Sequence, residues 1–246
     1  MPATSRKPQA SANKRKGDHQ AWNDLLAFFD RFPTSNTMHR GHGAEFFALL
    51  PKVGRRVDGK VVYDPHREKV IFENFKRRAF LKVPATLATE LDWLAIAQHH
   101  GLPTRLLDWT PNPLVAAFFA VSSLDPIAES ARVYALRVYE RMRIDPNQDP
   151  FDPSKPGEVR FHIPPYVTDR VGAQRGCFSV HPDPTVPYEP SGLAYHDIPR
   201  SACAYVQRRL FSFGIDASAI MADLDGLARA LEWQFRSGVA VGRISF

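Results

Sequence analysis

The chain has 246 residues, 44% hydrophobic and 24% charged, which is the balance of a globular protein with a full core. Its net charge is +6, but Arg6, Lys7, Lys14, Arg15 and Lys16 supply five of those charges before any acid appears, so the basicity belongs to the leader. No apolar run approaches the roughly 18 residues of a membrane span, no signal-peptide core opens the chain, and two distant cysteines make neither a zinc pattern nor a CxxC pair. These features predict a cytoplasmic protein.

Residues 1–18 read as a disordered basic tail, and residues 19–246 as one domain. HQAWNDLLAFFDRF (19–32) places Trp22, Leu25, Leu26 and Phe29 on one helical face, stopped by Pro33. Thr37 to Gly41 reads as a short strand. Residues 45–56 form a brief apolar stretch ended by Pro51 and a basic turn. Residues 65–83 predict a helix with Val70, Phe72, Phe75, Phe80 and Leu81 available to the core. Residues 86–100 predict another, with Leu87, Leu91 and Leu94 inward. Arg105 to Trp109 forms a strand, expected to be central, and it leads into an almost wholly apolar helix over 112–123. Pro111 and Pro113 suit that helix's first turn, and Thr110 or Asn112 its cap.

ARVYALRVY (131–139) alternates as a strand should. Residues 145–157 and 182–199 read as loops. EVRFHI (158–163) and CFSVH (177–181) are further strands, 201–213 is a helix, and a last helix starts at Asp223 with Leu224, Leu227, Leu231 and Phe235 spaced for one face. The sum is an α+β single domain: a small mixed or antiparallel sheet around a buried apolar helix, with flanking helices.

Polar residues cluster where elements end. Arg40 and Gly41 close a strand, the arginine offering a planar fork for phosphate and the glycine a close backbone approach. His39 and His42 face opposite ways, so they do not share a metal. His99 and His100 diverge on their helix; either one serves as an acid or base, or both sit at the helix C-terminus with Gly101 as cap. Arg105 and Asp108 are charges on a strand that need partners; a structural salt bridge is as good a reading as a ligand site, and Arg40 is a candidate cation for Asp108. Gln174 precedes the strand of Phe178. Cys177 and His181 are set aside as a nucleophile–base pair, because spacing alone carries no such claim.

Arg40-Gly41, the Leu-Leu-Pro segment, Arg55, the run AQHHGLPTRLLDWT with its following Asn-Pro-Leu, the Gln174-x-Gly176-x-Phe178 element and the closing stretch 210–231 together resemble the FRG domain, named for a Phe-Arg-Gly motif. His39 stands where that motif has its aromatic residue. The resemblance covers about residues 35–232 and implies a bacterial or phage protein. A more distant similarity links the order Arg40, Thr110, Gln174 to ADP-ribosyltransferases with an Arg–Ser–Glu site. It implies NAD as cofactor, with Arg40 holding its phosphate, Thr110 ordering the site and Gln174 at the acidic position; joined to the polar residues read above, the candidates are Arg40, Gly41, His99, Arg105 and Thr110 for ligand binding and His100, Asp108 and Gln174 for catalysis. Gln174 departs from the pattern, since an amide cannot offset an oxocarbenium-like charge; another carboxylate, with Asp108 nearest in motif, takes that role, or the chain is not such an enzyme.

The leading expectation is therefore a polar cleft for a phosphate-bearing small molecule, nucleotide or NAD, without a metal. The alternatives are nucleic-acid binding through residues 1–16 and 65–83, and a protein-interaction domain in which the polar cluster locks the core. The oligomeric state is left open.

Overall fold

A computed structural model describes residues 7–33, 35–83, 89–152, 157–164 and 176–239. They fall into two compact units, one of Met1–Phe47, Asn112–Ala135 and Ala194–Phe246, the other of Ala48–Pro111 and Leu136–Leu193. Helices and small sheets are interspersed throughout, as the α+β reading expects.

In the first unit, helix α1 (Lys7–Asp30) reaches back from the expected 19–32 through most of the basic leader. Strand β1 (Thr37–His42) ends close to prediction. Helix α4 (Pro113–Ser122) is capped by Asn112, whose Oδ1 accepts from the Leu114 amide at 3.0 Å, with Pro113 in the first turn. Strands β1, β5 (Ser130–Arg137) and β8 (Ala194–Pro199) form a three-stranded sheet with β5 in the middle. β5 and β8 are antiparallel, pairing Arg132 with Asp197 and Tyr134 with Tyr195. β8 corrects the loop expected over 182–199. Helices α5 (Arg200–Ser212), α6 (Ala217–Met221) and α7 (Leu224–Ser237) complete the unit. Trp22, Leu25, Phe28 and Phe29 of α1 pack with the apolar face of α4, with Val133 and Ile198 of the sheet, and with Val206 and Leu210 of α5. The greasiest helix is thus a core element because carbon faces carbon around most of its circumference.

His39 points into that core, its ring 5.6 Å from Phe29. Burial pushes its pKa down to about 4 from 6.5, only partly opposed by a hydrogen bond with the Tyr134 backbone. The unfolded chain takes up this proton near pH 6.5 and the folded chain does so only near pH 4. Stability is therefore lost as pH falls through that window, by about 3 kcal/mol at pH 4 from this group. Burial lowers His162 and His196 in the same direction. Denaturant unfolding at pH 7 and pH 4.5 checks this: the loss is expected to shrink in His39→Gln, and an equal loss in both proteins contradicts it.

In the second unit, β2 (Arg56–Val57) and β3 (Lys60–Val61) make a hairpin, and helix α2 (Pro65–Ala79) follows. Helix α3 (Glu90–His99) starts at a reciprocal cap between Thr89 and Asp92. β4 (Leu106–Trp109), β6 (Arg160–His162) and β7 (Cys177–Val180) form an antiparallel sheet in the order β4-β7-β6. β4 is an edge strand there, correcting the central position expected of it. The core gathers Phe72, Leu91, Leu94, Leu106, Phe178 and Val180. Of the apolar residues expected inward on 65–83, Phe72 is buried, whereas Val70, Phe80 and Leu81 are exposed. Leu87 lies outside the described residues. Among the described residues no helix is long and apolar enough to cross a membrane.

Candidate functional site

The sheet of the first unit has two faces. Alternation sends His39 and Gly41 toward the helices and Arg40 and His42 the other way. Gly41 is required by the packing: a Cβ there would sit 2.0 Å from the Ala116 carbonyl oxygen and 2.6 Å from the Ala120 amide nitrogen, both backbone atoms of α4. This close approach sets the height of β1 on the helix, and with it the place of the flanking arginine.

Arg40 is half-buried, and its Nε–H donates to His42 Nε2 at 2.9 Å. An imidazole that accepts at Nε2 carries its proton on Nδ1, and Nδ1 lies 3.2 Å from the Phe47 carbonyl, placed to donate. His42 is thereby a neutral relay that fixes the plane of the Arg40 guanidinium. The His42 ring meets Tyr134 edge-on at 5.3 Å, and Tyr134 lies 6.3 Å from Tyr195, so three rings form a row across β1, β5 and β8. Beside that row the Arg132 guanidinium lies 3.9 Å over the Tyr195 ring and holds Asp197 through two bonds of 2.6 and 2.8 Å. The bond to Asp197 is the main cause of an upward push on the Arg132 pKa. This face can hold an anion against the oriented Arg40 guanidinium and lay a flat ring on tyrosine.

Of the residues expected in a site, Arg40 and Gly41 belong to this unit. His99, His100, Arg105, Asp108 and Thr110 belong to the second unit, and Gln174 lies outside the described residues. In the second unit the structure assigns them separate tasks. α3 ends at His99; the His100 amide donates to the Ile96 carbonyl at 3.1 Å, and Gly101 takes a positive φ of 89° as the chain leaves the helix. The two imidazoles touch edge-on with centroids 4.9 Å apart, His99 half-buried and His100 exposed. The hydroxyl of Thr104 donates to Gln98 Oε1 and accepts from the Leu106 amide at 3.1 Å, locking the turn into β4.

Arg105 is buried and committed. Its Nε and Nη2 donate to the two oxygens of Glu68 at 3.1 and 2.6 Å, Nη1 donates to the Pro150 carbonyl at 2.6 Å, and Phe151 lies under the guanidinium at 4.6 Å. The salt-bridge reading of Arg105 therefore holds: its donors serve the fold. Asp108 is exposed on β4, and its charge acts on Arg55, whose pKa is lowered by burial and pulled back up by that carboxylate. Thr110 is buried, and the cap of α4 is Asn112.

Three buried groups of this unit also meet. The Trp109 Nε1–H donates to Ser179 Oγ at 2.9 Å, and Ser179 Oγ shares a hydrogen bond of 2.9 Å with His181 Nε2. His181 thus bonds a hydroxyl, while burial pushes the Cys177 thiol up to about 12, far from a thiolate nucleophile. On α2, Lys76 is paired with Glu90 at 2.7 Å and Lys69 lies 3.8 Å from Asp149, so part of that basic stretch is already neutralised.

Tyr134, Tyr195 and Arg132 escape a reading by motif. Their signal is the alternation of Arg132 and Tyr134 with the apolar Val133 and Ala135 along one strand, which marks a second face of the sheet carrying polar and aromatic groups.

Residues 35–128, from β1 through α4, match the family model of the FRG domain. These residues form an FRG domain. The elements at Gln174 and at 210–231 that share the resemblance lie beyond the matched residues. Comparison with curated proteins and with solved structures returned no match.

Proposed function

We propose that this FRG domain protein binds a phosphate-bearing small molecule, NAD or a nucleotide, on the β1–β5–β8 face, with Arg40 as the phosphate holder. The observation that supports this reading is the Arg40–His42–Phe47 relay. A guanidinium whose plane is set beforehand loses little freedom when it grips a phosphate in a two-point bond. The tyrosine row and Arg132 offer the base or nicotinamide a flat surface alongside.

Calorimetric titration with NAD tests the proposal. Arg40→Lys keeps the charge and loses the fork, so its affinity is expected to fall by about tenfold or more, while thermal unfolding of the variant stays near that of the parent. Equal affinity in Arg40→Lys and Arg40→Ala, or no heat of binding in the parent chain, overturns it. Following the same mixture for nicotinamide release reads whether binding proceeds to ADP-ribosyl transfer.

A further inference from the structure

Helix α7 turns its small residues inward and its large apolar ones outward. Gly226, Ala230 and Trp233 face the protein: a Cβ on Gly226 would lie 2.6 Å from the Ala217 carbonyl oxygen, and Trp233 packs on Phe211 of α5 at 5.3 Å. That contact needs small residues, and it turns the large ones outward. Leu224, Leu227, Leu231 and Phe235 are 82%, 45%, 53% and 78% exposed. They recur at helical spacing and form one stripe about 17 Å long at 1.5 Å per residue. A continuous apolar stripe on one helix is a contact surface rather than scattered exposure.

The charges beside the stripe say what covers it. At 100° per residue, Asp225, Arg229, Glu232 and Arg236 all fall on the same flank, running acid, base, acid, base from the N-terminus. A flank of mixed sign is a poor match for a membrane surface or a nucleic acid, both of which want a basic one. Within one helix Arg236 already bonds Glu232 at 2.6 Å, and the order of the whole flank also reverses into its own complement. When two such helices lie antiparallel about a twofold axis, the same flank of each comes side by side. Asp225 of one then stands opposite Arg236 of the other, and Arg229 stands opposite Glu232. The apolar stripes close on each other at the same register, Leu224 toward Phe235 and Leu231 toward its own copy near the axis. We infer that a second copy of this chain occupies the α7 stripe, in an antiparallel α7–α7 dimer.

Sedimentation velocity of the full chain over a concentration series tests this. The chain is expected to dimerise. Leu231→Glu places a charge at the centre of the seam and is expected to raise the dimer dissociation constant about a hundredfold or more. Asp225→Arg sets like charges opposite Arg236 at two symmetric places and is expected to weaken the dimer about tenfold. Adding Arg236→Asp to it restores opposite signs across the axis, and the affinity is expected to return. All three positions are exposed, so folding survives the changes. A monomeric parent chain, a dimer indifferent to Leu231→Glu, or a double reversal no tighter than the single one overturns the inference.

Discussion

Replacing Gly41 with alanine is expected to destabilise the protein by about 3 kcal/mol or more, and with valine to prevent folding. The clash is with the backbone of α4 at Ala116 and Ala120, so no rotamer change relieves it; β1 or α4 must move as a whole. Both belong to the main core of their unit, where Ala116, Ala117 and Ala120 are fully buried against the sheet. Gly43 meets the same obstacle one step on, its Cβ falling 1.8 Å from the Ser123 carbonyl oxygen. A helix lined with alanine seated on a strand of glycine is one device, and it also carries Arg40. Urea unfolding of Gly41→Ala checks the magnitude. A loss under about 1 kcal/mol would mean that the strand and helix can separate freely, contrary to this account.

The second large effect is expected at Glu68. Glu68→Gln leaves the Arg105 guanidinium buried without its counter-charge, and the expected loss is about 3–5 kcal/mol. The carboxylate cannot be replaced by water, because Glu68 and Arg105 are only 6% and 5% exposed and the site is lined by Phe151 and the Pro150 carbonyl. The double variant Glu68→Leu/Arg105→Met removes both charges and is expected to recover most of the loss, since the cost lies in leaving one ion buried alone. Additive losses in the double variant would show that the two side chains act separately.

The sequence makes some of this legible and hides the rest for identifiable reasons. Strands at Thr37 and Ser130, the helix from Pro113 with its Asn112 cap, and the inward Leu91 and Leu94 follow from local rules of alternation, capping and helical spacing. The hairpin at 56–61 carried its signal in plain sight: Asp58-Gly59 is the dipeptide that accepts positive φ at both positions, and here φ is 49° and 74°. β8 was masked by Pro182, Pro184, Pro187 and Pro190, which punctuate the approach to the strand without entering its interior.

Arg40 and Arg105 could not be told apart by pattern. The partner of Arg105, Glu68, lies 37 positions away along the chain and meets it only in the fold. The same limit applies to α7: its spacing reveals a stripe but not which way the stripe points, and the small residues Gly226 and Ala230 decide that.

In the proposed function the oriented Arg40 guanidinium holds the phosphate, and Arg105 stays with Glu68. Arginine Nε–H resonances of the uniformly labelled protein, followed during titration with NAD, test it most directly. The Arg40 signal, set by its bond to His42, is predicted to move with saturation while the Arg105 signal, held by Glu68, stays in place. A titration in which Arg40 remains still, or in which Arg105 alone responds, would contradict the account.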